Sequence, residues 1–123
     1  MSLSLYRRLR QDWRQREPVA HSKSRSALHK MHILLVRYHL HFPTVHSLKE
    51  KRSILKRILH ALRSDHNISV AEIGHHDTWQ RCDLAVIGCS ALRDPLERME
   101  REVSEQLEGD PEAQVAEWQT EWL

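Results

Sequence analysis

Ser47-Leu48-Lys49-Glu50 constrains this chain more than any other four residues in it. A serine followed three residues later by a glutamate is a capping box. The hydroxyl accepts from the Glu50 amide, and the carboxylate can reach back to the Ser47 amide. The helix opened here should run to about Ser64. At about 100° per residue, Leu48, Leu55, Ile58, Leu59 and Leu62 fall on one broad apolar stripe, with Ile54 and Ala61 at its edge. Such a stripe needs a partner surface, and a sheet is the expected one. The opposite side carries Lys49, Arg52, Lys56 and Arg63 in a row, with His60 along its border. Lys51 points near the apolar stripe, so its long stem is expected to snorkel out beside the sheet edge.

The flanking segments supply that sheet. His32 to Leu40 alternates, with Leu34, Val36, Tyr38 and Leu40 on one face and Ile33, Leu35, Arg37 and His39 on the other. Pro43 stops it. Ile68 to Ile73 reads as a second strand, Gly74-His75-His76-Asp77 as a polar connection, and Arg81 to Cys89 as a third strand. Asp94-Pro95-Leu96-Glu97 opens another helix with Asp94 at the N-cap, and Gly109 ends it. Its outer positions are mainly acidic. Val115 to Trp122 is a final strand. The order β-α-β-β-α-β predicts an α+β, ferredoxin-like split βαβ fold: a four-stranded antiparallel sheet with two helices on one face.

Length allows one domain with a real core. The net charge of +2 conceals a division. Residues 1–30 hold eight Lys and Arg against two acids, and residues 31–123 hold eleven against fifteen. The basic character therefore lies in the leader and in the first helix, which removes most of the force of overall charge as an argument. Residues 1–30 read as a basic, disordered extension, or as an upstream start before a native start at Met31. Residues 31–123 form the domain. Cys82 and Cys89 sit seven residues apart in one expected strand, about 23 Å when extended. A disulfide needs Cα atoms within about 7 Å, so both thiols are expected free, as in a cytoplasmic protein. No apolar run approaches the ~20 residues of a membrane span, so no membrane partner is expected.

From Met31 onward the chain resembles the YlxP-like family, a bacterial domain family of unknown function. The resemblance rests on His41-Phe42-Pro43 and on Val45-His46-Ser47-Leu48-Lys49-Glu50-Lys51-Arg52-Ser53. It continues in Ile68-Ser69-Val70-Ala71-Glu72-Ile73, in His76-Asp77-Thr78-Trp79-Gln80-Arg81 and in Glu121-Trp122. It implies a ferredoxin-like fold. In some bacteria such genes lie beside translation-initiation and ribosome-maturation genes, which implies a ribosomal or RNA connection. It implies no catalytic residues.

These readings converge on a non-enzymatic domain that is RNA-binding or ribosome-associated, with rRNA or a ribosomal particle as partner. Lys49, Arg52, Lys56 and Arg63 would meet phosphates, with Lys51 and His46 at the margin. No catalytic residue, metal or cofactor is expected. The alternative is a protein–protein interaction or homodimer module that uses the open sheet face, through Ile33, Leu35 and Trp118. A third reading is a His-based metal-dependent enzyme. It would draw on ten histidines, on His76 with Asp77 as acid and base, or on Cys82 as nucleophile. The chain lacks the paired CxxC or helical HxxxH spacing of a closed zinc site.

Overall fold

A computed structural model describes residues 30–123. The expected basic extension over residues 1–30 lies, apart from Lys30, outside them. Six elements follow in order: β1 (His32–His41), α1 (Leu48–Asp65), β2 (Ser69–Gly74), β3 (Arg81–Ser90), α2 (Asp94–Glu108) and β4 (Gln114–Trp122). All pairings are antiparallel, and the strands lie in the order β2-β3-β1-β4. This is the α+β, ferredoxin-like arrangement that the element order predicts. Each βαβ crossover steps over one strand, so the two longest strands, β1 and β3, end up in the middle.

Alternation in β1 decides the layers. Leu34, Val36, Tyr38 and Leu40 are buried and join Leu84 and Val86 of β3 in one core. Leu55, Ile58 and Leu62 of α1 and Leu96, Val103 and Leu107 of α2 complete it from a single side. Tyr38 reaches under α2, where its hydroxyl and that of Ser104 lie 2.8 Å apart in a buried hydrogen bond. Burial pushes the phenol up to about 12, so it stays protonated.

Among the described residues, no helix lies over the other sheet face. Ile33 stands there opposite Cys89, Leu35 opposite Ile87 and Glu121, and Arg37 opposite Ala85 and Gln119. Trp118 is not part of this face. It pairs with the core-facing Tyr38, their rings 6.1 Å apart, so it lies on the helix side of β4. Trp122 shares that side, with the Arg93 guanidinium 4.2 Å above its ring.

Two expectations about helix ends change in detail. Ser47 caps α1 by accepting from the Glu50 amide at 3.1 Å, but the Glu50 carboxylate reaches the His46 amide rather than that of Ser47. Asp94 is not the cap of α2. Arg93 holds that position in helical conformation with no side-chain cap, and its side chain turns to Glu97 at 2.8 Å. Asp94 therefore contributes only its charge to the first turn.

Candidate nucleic-acid interface

Three of the phrases that carry the family resemblance, around Phe42, Val45 and Gln80, are far apart in sequence and meet at one end of the fold, whereas Glu121-Trp122 pairs with Leu34 and Leu35 toward the other end. The Phe42 amide donates to the Gln80 carbonyl at 2.9 Å. The Gln80 side-chain amide donates to the Val45 carbonyl at 3.3 Å. These bonds tie the β1–α1 connection to the β2–β3 turn, and they leave Trp79 about half exposed beside them. Phe42 and Val45 are buried beneath, so the join is anchored in the core.

Lys51 is the bolt of this end. It is 1 % exposed, and its ammonium lies 3.1 Å from Glu72 Oε2 and donates to the His75 carbonyl. Glu72 Oε2 accepts no well-aligned hydrogen bond, so its contact with Lys51 is an ion pair held by distance and charge. Glu72 Oε1 is 2.8 Å from His76 Nδ1. Burial alone would raise the Glu72 carboxyl; the His76 hydrogen bond and the Lys51 ammonium outweigh it and hold the group below its ordinary value. His75 adopts a positive φ of 62°, a conformation that costs a non-glycine residue energy, and the ammonium bound to its carbonyl helps to fix it.

This burial corrects the expected site. Lys51 does not snorkel to the surface and cannot touch a ligand there. Its attraction to Glu72 is structural. Lys49, Arg52 and Lys56 remain exposed on the outer side of α1. Among the described residues no carboxylate lies within 4.0 Å of any of the three. Helical rise puts Lys49 and Lys56 about 10 Å apart along the axis, with Arg52 between them. His46 is exposed at the start of the row. Arg63 is partly committed, because its guanidinium donates to the Val70 carbonyl of the edge strand β2 at 3.0 Å.

The acidic neighbours of α1 take a different cation. Arg57 lies 2.7 Å from Asp110 and 3.2 Å from Glu112, both beyond the end of α2. The Arg57 hydrogen bond holds the Asp110 carboxyl below its ordinary range. Where α1 and α2 approach, Gln106 bonds His66 and Asp65. Asp110 and Glu112 thus engage Arg57 and not the basic row.

A second cluster, which sequence reasoning did not find, lies on the open sheet face. His39 Nδ1 is 2.7 Å from Asp83, and His75 Nε2 is 3.6 Å from the same carboxylate. The Asp83 hydrogen bond, aided by one from Gln119, raises the His39 pKa above its ordinary value. Gly74 permits the arrangement, since a Cβ there would come within 2.8 Å of Asp83 Oδ2. Among the described residues no three His, Cys, Asp or Glu side chains converge to hold a metal ion. Cys82 is fully buried, and burial followed by the Glu72 carboxylate pushes its thiol far up, which leaves no thiolate to act as nucleophile. Among the described residues no helix is long and apolar enough to cross a membrane.

The family described as "Protein of unknown function (DUF503)" matches residues 33–120, which includes both halves of the join. The "Uncharacterized protein YlxP" of Bacillus subtilis (strain 168) is 40 % identical over 77 residues, 63 % of this chain and 84 % of that protein. Among solved structures, the de novo designed protein Foldit4 is 17 % identical with a TM-score of 0.45, covering 74 % of this chain and 96 % of that one.

Proposed function

The chain belongs to the DUF503 family, and we propose that within it the outer face of α1 binds structured RNA, with rRNA in a ribosomal particle as the first candidate. One observation carries this reading: Lys49, Arg52 and Lys56 stay exposed and, among the described residues, without a carboxylate partner, while Asp110 and Glu112 engage Arg57 instead. A solvated cation row on a rigid helix can displace counterions from a polyphosphate backbone, and that release drives association. His46 extends the row at its start, and Arg63 extends it at its end to the degree that Val70 releases it. Contacts of this kind recognise phosphate and shape rather than base sequence. The reading is one of binding without catalysis.

Co-sedimentation of the untagged chain with ribosomal particles, in low and high salt, tests it. Binding should weaken steeply with salt. Replacing Lys49, Arg52 and Lys56 together by alanine should flatten the plot of log affinity against log salt by about 2 to 3, since each phosphate contact contributes ~0.7–0.9. Unchanged affinity and slope in the triple variant would sink the proposal.

A further inference from the structure

The helices described shield one face of the sheet, and the opposite face exposes several large apolar side chains near one another, the pattern that marks an interaction surface. Met31 is 40 % exposed, Ile87 37 % and Leu123 63 %, and all three lie at the same end of the open face. Ile33 and Leu35 stand between them on β1, and a shallow groove of about 370 Å³ runs past Met31, Ile33, Ile68 and Ile87. Toward the other end of the strands the same face turns polar, with Arg37, His39, Asp83 and Glu117.

We propose that this face is a homodimer interface, its occupant a second copy of the same chain related by a two-fold axis along the strands. Three observations select that occupant. The pattern is apolar at one strand end and polar at the other, and only an axis along the strands stacks apolar on apolar. The sheet midline runs between β3 and β1, so that axis lays β1 over the partner's β3. Charge points the same way. Arg37 and Arg81 face Asp83, Glu117 and Glu121, so the surface is near balance and self-apposition meets little repulsion. The outer face of α1, with its row of exposed cations, would repel its own copy. Size also fits. The strands lie about 4.8 Å apart; β1, β3 and β4 are roughly 30 Å long and the six-residue β2 about 20 Å, so they present on the order of 550 Å² of flat area, which the relief of the side chains brings toward the ~800 Å² of accessible surface per partner of a standard interface. Both copies of α1 stay on the outside, so the dimer does not depend on the RNA-binding reading and does not block it.

Cys89 provides a direct gauge. It is exposed on the open face at the apolar end of β3, whereas Cys82 is buried. With sheets ~10 Å apart and neighbouring strands ~4.8 Å apart, the stated axis sets the two Cys89 Cα atoms about 11 Å from each other. The experiment uses the full chain. Light scattering from about 1 to about 100 μM should report twice the chain mass at the upper end. A short bis-maleimide should then trap a covalent dimer that Cys89→Ser abolishes. Ile87→Glu should convert the protein to a monomer; should that variant unfold by circular dichroism, Leu123→Glu, at the chain end, is expected to do the same without touching the core. A monomer at 100 μM overturns the proposal. So does a dimer by mass with no Cys89 cross-link, or a Cys89 photo-cross-link that maps to residues 1–29 of its own chain.

Discussion

Lys49 and Lys51 stand two residues apart in the first turn of α1, about 200° around its axis, and the fold gives them opposite roles. Lys49 projects into solvent with no carboxylate near it among the described residues. Lys51 is buried against Glu72 and the His75 carbonyl. Inside, the ammonium has no water to fall back on, so it must keep its partners, and the β2–β3 turn is held in place as a consequence. Outside, water and salt satisfy the charge, so it remains available to a polyanion. A run of basic residues is therefore not one patch. Direction divides it into a structural cation and ligand-facing ones.

The sharpest way to break this contrast is to remove the inner cation. Lys51→Met leaves Glu72 a mostly buried carboxylate with His76 as its remaining basic partner, and the expected cost is about 3 kcal/mol. In a domain of this size that lowers the melting temperature by roughly 15 °C. Adding Glu72→Gln should restore most of the loss, and a double-mutant cycle by thermal melts measures the coupling. If Lys51→Met melts like the wild type, the inner pair is not structural.

Replacing the cap is the next test. Ser47→Ala removes the hydroxyl that satisfies the Glu50 amide and should cost about 1 kcal/mol, read by urea denaturation. The outer row is the matching control. The triple alanine variant of Lys49, Arg52 and Lys56 should change stability by less than about 0.5 kcal/mol while weakening RNA binding.

The smallest effect is in pH. Glu72 has a folded pKa below its unfolded one, so its contribution is complete above the ordinary carboxyl value and is lost as pH falls through the lower folded value. The melting temperature of the wild type should therefore drop in mild acid more than that of the Lys51→Met/Glu72→Gln variant. Parallel curves for the two proteins would argue against the pair as the source.

The elements of the fold were legible because each has a local cause. Ser47 and Glu50 start α1, Pro43 ends the strand before it, and alternation in β1 assigns its faces. The join at one end of the molecule was harder to see, although both its charges left a trace. Lys51 points along the apolar stripe of its helix, and Glu72 follows core-facing Val70 by two residues on β2. Two charges aimed at one core from different elements imply each other. The His39–Asp83–His75 cluster left no such trace, because its members come from two strands and a turn. Its formation depends on register and on the bulge between Glu72 and Gly74. Arg93 at the start of α2 overrode the expected Asp94 cap because its side chain found Glu97 and Trp122 instead.

Local pattern in the sequence was enough to determine six elements, their order, the core stripe of each helix and the exposed row of cations, since propensity, capping and period act over a few residues. Tertiary structure alone decided which cation is buried, which acids meet Arg57, and that Trp118 lies on the helix side rather than the open face. Those outcomes depend on register across strands and on what packs over each face, and no stretch of chain carries that information by itself.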